Sequence, residues 1–468
     1  MPRFSHRLSS ALTLLVALAA PAAAQDRTRA LPADSPFRGG VPEVTPRQPS
    51  IAIGIADAIN RALAHNLGVL QSQQGIDRAA GVRSTELADL LPDVYGSLNA
   101  SRRKVNLEAF GFPLGDAFPH VVGPYNLYDA RVYATQKVFD LSAINDVRAE
   151  THTVAAAQHA YRSARDLVVL VAANVYLETL AGAARVDSAQ AQLATSQALL
   201  TQAQDLRQSG IVAGLDVVRA EVRQLTDRQR ATSTRNDYEK LKLQLARIMG
   251  LPIGQEFTLV DKLPEVPVPE MTLDEALQRA YRDRPDYQAA QERVRAAEAS
   301  LRAATSERLP SVKVSADYGA IGLTPAAALP TFNVTGQVDV PLFKGATAGR
   351  IAEADADLRS RRAEAEDLRA KVYYDVRSAF LDLEATAEEL RAAERARDLA
   401  AQELTQARDR FAAGVTNNLE VVQGQQSVAL ASEQYISALY GYNVSKALLA
   451  QSLGSAESAI RKYLGGAN

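Results

Sequence analysis

The sequence predicts an α+β fold made of two structural repeats, each running short helix, β-hairpin, long helix, short helix. Three observations predict it. A turn occurs twice at an offset of 204. Leu200, Thr201, Gln202, Ala203, Asp205, Gly210, Leu215, Val217 and Val218 match Leu404, Thr405, Gln406, Ala407, Asp409, Gly414, Leu419, Val421 and Val422, so nine of the nineteen positions from 200 to 218 are identical to their partners. A second pairing, at an offset of 218, matches Asp57, Arg61, Ala62, Ala79 and Pro92 with Glu275, Arg279, Ala280, Ala297 and Pro310. Between these landmarks the hydrophobic period switches from helical to two and back again.

The chain starts with a signal-like stretch, 1–24. Arg3 and Arg7 precede an apolar run, Ala11 to Ala20, and a small-residue cleavage site at Ala22-Ala23-Ala24. The run falls short of the roughly 20 residues that a membrane-spanning helix needs. The mature protein is therefore expected to be exported and to have no transmembrane helix. Residues 25–52, with Pro32, Pro36, Pro42, Pro46 and Pro49, read as an extended arm.

Repeat one occupies 53–250. Ile55, Ile59, Leu63, Leu67 and Leu70 fall at helical spacing, and the pattern runs unbroken to Leu91-Pro92. Two strands follow, at about 93–107 and 124–139. In the first, Val94, Gly96, Leu98 and Ala100 alternate with Tyr95, Ser97, Asn99 and Ser101. Next comes a proline-free helix from about Ala143 to Ser209, roughly 100 Å long at 1.5 Å per residue. The Gly210 turn is a helical hairpin tip, and the returning helix ends near Gly250. Residues 251–270, with Pro252, Pro264, Pro267 and Pro269, form a non-helical connector packed midway along the helices.

Repeat two, 271–454, gives the same set. Its strands lie at about 311–320 and 331–343, its long helix runs from about Thr347 to Ala413, and its last helix ends near Gly454. The tail, 455–468, is expected to fray. Repeat one carries 14 more residues between its strands, the difference between the offsets 218 and 204. Insertions concentrate at exposed loop tips, so this end of each hairpin faces solvent.

Strands of about ten residues with one apolar face fit two settings. One is a tilted strand crossing a bilayer, and the other is an ordinary sheet with one wet face. In lipid, open sheet edges are not viable. Four strands cannot close a barrel, for which eight is about the minimum. The membrane setting therefore requires several chains, and three would supply twelve strands.

Composition excludes other classes. Cysteine is absent, which removes disulfides, thiolate metal sites and a lipid-bearing cysteine. A formal charge of −2 gives no basis for nucleic-acid binding. Neither a Gly-x-Ser-x-Gly nor a phosphate-loop pattern occurs, so no catalytic residue and no cofactor is assigned. His152 and His159, seven apart on one helix, read as a solvated face rather than a metal site.

The paired repeats, Ala276 to Ala280 (Ala-Leu-Gln-Arg-Ala), Leu309-Pro310, Val340 to Gly345 (Val-Pro-Leu-Phe-Lys-Gly) and the glycine-centred tips carry a resemblance. The chain resembles the TolC-like outer membrane efflux proteins over nearly all of its mature length. The resemblance implies a homotrimer with a twelve-stranded outer membrane barrel continuous with a periplasmic α-helical barrel. It implies passive export of small molecules or secreted substrates. The partners would be a periplasmic adaptor protein, an inner membrane pump and outer membrane lipid. The alternative is a periplasmic coiled-coil structural or adaptor protein that does not span the membrane.

The resemblance also implies a gate at the helical tips. Its positions here are Asp216, Arg219, Phe411, Thr416, Glu420 and Gln423. Adaptor docking falls on Gly210, Ile211, Val212, Ala213, Gly214, Gly414 and Val415. Where the family holds its aspartate with a tyrosine and an arginine, this chain has Phe411 and Thr416, so that latch chemistry is missing. Arg410 and Arg219 are the available substitutes. A ring of carboxylates in a narrow pore is expected to favour cations.

Overall fold

The computed structural model describes residues 32, 35–43, 50–107, 109, 111, 119–210, 213–264, 271–413, 415 and 418–463. The signal segment, most of the N-terminal arm, residues 265–270 of the connector, the last five residues, and Ile211, Val212, Gly414 and Thr416 of the tips lie outside them.

After a 3-10 turn at Pro36–Arg38, the first half comprises β1 (Ile51–Ile53), α1 (Ile55–His65), α2 (Leu67–Ala88), β2 (Asp93–Asn106), β3 (Val121–Phe139), α3 (Leu141–Gln208) and α4 (Gly214–Ile248). β4 (Phe257–Leu259) lies in the connector. The second half comprises α5 (Leu273–Asp283), α6 (Pro285–Ser306), β5 (Ser311–Gly322), β6 (Leu329–Asp339), α7 (Gly345–Ala412) and α8 (Asn418–Ser452), followed by α9 (Ala456–Tyr463).

The sheet is antiparallel throughout, in the order β2-β3-β5-β6, and its two edges have no strand partner among the described residues. Its register puts Gly96, Val132, Tyr318 and Phe332 in one row, and Val94, Ala134, Ala316 and Val334 in the next. These rows form one apolar face, and that face is bare: Leu98 is 87% exposed, Phe332 76% and Val334 67%. On the opposite face Arg131 bonds to Asp317, to Asp129 at 3.3 Å and to Thr331 at 3.0 Å. A sheet in water hides its apolar face and wets the polar one. This sheet leaves its apolar face exposed.

α3 and α7 are each 68 residues, roughly 100 Å at 1.5 Å per residue. α2 packs along the upper part of α3, and α4 along its lower part. α6 and α8 flank α7 in the same way. Below mid-height the helices stand side by side in the order α4, α3, α8, α7. α3 contains a window apolar enough to cross a membrane, but 61% of that window is buried inside the protomer. Its apolar residues serve a core at mid-height, where Val168, Val169, Ala172, Ala173, Tyr176 and Leu177 meet Ile59, Leu245, Ile248 and Ile460.

Two sequence expectations are corrected here. The upper short helices are not continuous. Each breaks at one extended residue, Asn66 in the first half and Arg284 in the second, 218 positions apart. The causes differ. The Asn66 side chain accepts from the Gly68 and Val69 N–H groups and caps α2, while its amide donates to the Phe37 carbonyl at 2.9 Å. Arg284 precedes Pro285, which disfavours a helical residue before it and fits the first position of the next helix. The end of each lower helix abuts these breaks: a Cβ on Gly250 would sit 2.5 Å from His65, and one on Gly454 2.7 Å from the Arg284 backbone.

The expected fraying of the tail is also corrected through residue 463. α9 docks with Ala456 and Ile460 fully buried, and Arg165 donates to Glu457 at 2.8 and 3.2 Å. The arm and connector meet at the same level, where β1 and β4 pair in parallel. Tyr176 and the Ile55 N–H both donate to Asp261 at 2.8 Å, which ties the connector to α1 and α3. His152 is half-buried, and its Nδ1 lies 2.7 Å from Glu292 of α6.

Candidate functional site at the helical tips

The first tip is closed by Gly210, whose φ of +73° is open to glycine at little cost. The Gly210 N–H donates to the Arg207 carbonyl at 3.0 Å, and Ser209 to Asp205 at 3.1 Å. Both bonds satisfy carbonyls at the end of α3. At the second tip the Val415 N–H donates to the Arg410 carbonyl and Ala413 to Asp409, each at 3.0 Å.

Three of the nine identical residues of the first tip, Leu200, Ala203 and Val217, are packing residues. Leu200, Ala203, Val217 and Ala220 form a small buried cluster between α3 and α4. Their counterparts Ala407 and Val421 are buried between α7 and α8. Gly424 stands where Ala220 stands in the first half. A Cβ there would lie 3.1 Å from the Leu404 Cα, so α7 and α8 approach closely at this point. Reading the sequence did not single out Gly424, although a glycine inside a helical pattern is a signal for close packing.

The ion pairs differ between the tips. Asp216 sits in the first turn of α4, where the helix dipole favours a carboxylate. It pairs with Arg219 on the same helix at 3.6 Å. Glu420 occupies the matching turn of α8 but pairs with Arg410 of α7, across the tip, at 3.6 Å. Each carboxylate therefore has an arginine, and the two arginines come from non-equivalent positions. Phe411 is half-buried, Gln423 and Val415 are exposed, Ala213 is exposed and Gly214 half-buried against the Arg207 side chain.

Higher on the same helices the two hairpins are joined by a polar link. Arg185 of α3 donates to Glu433 of α8 at 2.8 Å and to Ser437 at 3.2 Å, while Arg230 of α4 lies 3.9 Å from Glu433. Sequence reading missed this link because its members are indistinguishable from ordinary exposed helix charges.

At mid-height a second charged group surrounds the α5–α6 break. Arg284, only 7% exposed, bonds to Asp286 at 2.6 Å and Asp375 at 3.0 Å. Asp166 of α3 lies nearby. Burial pushes its carboxyl up to about 6, with Asp286 and Glu457 adding to the rise, although the Glu457 N–H donates to it and opposes the shift.

Two long helical hairpins carrying a sheet with an outward apolar face define a class: an outer membrane protein with a large helical body. The match to known proteins agrees. The outer membrane efflux protein family matches residues 58–251 and 276–455, and the chain belongs to that family. It is similar to the pyoverdine export outer membrane protein OpmQ of Pseudomonas putida, at 26% identity over 74% of each chain. Among solved structures, it overlays the outer membrane protein VceC of Vibrio cholerae with a TM-score of 0.72 at 18% identity, covering 86% of this chain and 96% of that one. It overlays the CmeC outer membrane channel of Campylobacter jejuni with a TM-score of 0.73 at 14% identity, covering 93% of each. At these identities the structural likeness establishes the fold. Members of the family are channels rather than enzymes.

Proposed function

We propose that this chain is the outer membrane exit duct of a tripartite export system and that it works as a homotrimer. One observation carries the reading: the four-stranded sheet bares its apolar face, pairs its ionic groups on the other, and has two edges with no strand partner among the described residues. Lipid removes the cost of the first feature, and a ring of strands removes the cost of the last. Three copies give twelve strands, and the long helices then line a tunnel reaching about 100 Å from the sheet. Solutes pass through without chemical change. The pyoverdine exporter among the relatives supports small organic molecules as the class carried.

The tips are the gate in this reading. Asp216 with Arg219 and Glu420 with Arg410 take the place of the missing tyrosine and arginine latch. The apolar and glycine-rich edges at 210–214 and 414–415 are the surface for a periplasmic adaptor, which connects the duct to an inner membrane pump.

The test is fractionation followed by conductance. The mature chain should sediment with outer membranes, need detergent for release, and run as a trimer. Reconstituted in a planar bilayer, it should form a narrow pore. A chain that stays soluble and monomeric without detergent overturns the reading and favours a periplasmic coiled coil.

A further inference from the structure

Between the two hairpins, on the tip side of the Arg185–Glu433 link, lies a cavity of about 170 Å3. It is bounded by α3, α4, α7 and α8 together, roughly 10–30 Å above the tip by helical rise. Ala191, Leu404 and Val428 give it an apolar wall. Arg223 and Asp227 close one side and are matched to each other at 3.0 Å, with the Asp227 side chain only 4% exposed. Ser188, Thr195, Gln425 and Ser432 add polar groups to the lining, but among the lining residues described it is Gln192 that carries a buried, unmet acceptor. Its amide donates to Ser188, but its Oε1 is buried with no partner among the described residues.

A buried acceptor without a donor costs about 1–3 kcal/mol, so the wall that holds it favours an occupant that donates. The size is that of a small ring: an apolar cavity of roughly 150 Å3 holds benzene. The ionic groups beside it already neutralise each other and offer nothing to a charged guest. We infer that this cavity is a binding site for a small uncharged molecule with an apolar body and one hydrogen-bond donor, such as a phenol or a compact alcohol. The donor bonds to Gln192 Oε1 and the body lies against Leu404 and Val428. Because the walls come from both hairpins, the site exists only while they stay together. An occupant therefore stabilises the arrangement seen here against any separation of the hairpins. That consequence rests on the gated-duct reading; the binding itself does not.

The experiment uses the full chain in detergent, with phenol, anisole and benzene as probes in calorimetric titration. Phenol should saturate one site per chain, with anisole and benzene about tenfold weaker or more, since neither supplies the donor. Gln192→Leu keeps the volume and should erase the preference for phenol while leaving benzene binding. Val428→Phe should fill the space and remove binding of all three, with trimer retention checking that it folds. No saturable binding of any probe, meaning water alone occupies the cavity, overturns the site. Equal affinities for the three probes, or a phenol preference that survives Gln192→Leu, overturn the assigned contact. In planar bilayers phenol should lower the opening rate of the native protein and not of Gln192→Leu. Binding with unchanged opening in both overturns the coupling to the gate.

Discussion

The pairs at the tips make a prediction in which pore opening and ion selectivity separate. Replacing Glu420 by Gln, or Arg410 by Gln, breaks the same link. The pair is 3.6 Å apart and its side chains are 57% and 40% exposed. A pair this wet contributes about 0.2–1 kcal/mol. Three copies acting together in a trimer give roughly 0.6–3 kcal/mol, which is a factor of about 3 to 150 in the closed–open equilibrium. Both variants should therefore raise open probability in planar bilayers, and by similar amounts. Selectivity should move in opposite directions. Glu420→Gln leaves an unpaired guanidinium and shifts the pore towards anions. Arg410→Gln leaves an unpaired carboxylate and shifts it towards cations. The double variant should open as readily as the singles, with selectivity close to the native value. The reasoning is refuted if the singles move open probability in opposite directions, or if neither moves it while selectivity changes as expected.

Other predictions follow from the body of the protein. Burial raises the Asp166 carboxyl from 3.8 to about 6, so keeping it ionised costs the fold up to about 3 kcal/mol at neutral pH. The sign follows from the raised value: the cost is full above about pH 6 and vanishes below about pH 4. Asp166→Asn should therefore stabilise at pH 7.5 and make no difference at pH 3.5, as measured by denaturant unfolding; a variant less stable at pH 7.5 contradicts this. Ile460→Ala, at a fully buried position of α9, should cost about 2–5 kcal/mol and lower the melting temperature. A loss near zero would mean that α9 does not hold to the core. Gly424→Val should force α7 from α8 at Leu404, where even a Cβ lies at 3.1 Å, and raise leak through the tip. Phe332→Arg places a charge on the apolar face of the sheet and should cost roughly 2–4 kcal/mol in lipid, read as reduced trimer yield from the outer membrane.

The hairpins and strands were legible because long periodic segments announce themselves, and because each occurs twice. The breaks at Asn66 and Arg284 were also written in the chain, as a capping asparagine and an Arg-Pro step, but unbroken apolar spacing across Leu63, Leu67 and Leu70 outvoted them. The docking of α9 was hidden because Ala456 and Ile460 are too few to mark a core on their own; their partners lie almost three hundred residues away on α3. At the tips, part of the repetition reflects packing, since Ala203, Val217, Ala407 and Val421 are buried there. The ion pairs of the proposed gate use residues that differ, Arg219 and Arg410, and which carboxylate each reaches depends on side-chain geometry that spacing does not determine. The link from Arg185 to Glu433 joins residues 248 apart in sequence and has no local signal at all.

The chain has no cysteine, so single cysteines can be placed anywhere without background. The central claim is that one face of the sheet meets lipid and the other meets water. Spin labels at consecutive positions of β2 and β6, from Ser97 to Ser101 and from Thr331 to Thr335, measure it directly in reconstituted membranes. Labels at Leu98, Phe332 and Val334 should relax with membrane-dissolved oxygen and resist an aqueous nickel complex, while those at Ser97, Asn99, Asn333 and Thr335 should do the opposite. Accessibility that does not alternate with a period of two, or equal exposure of all these sites to the aqueous reagent, would contradict the account.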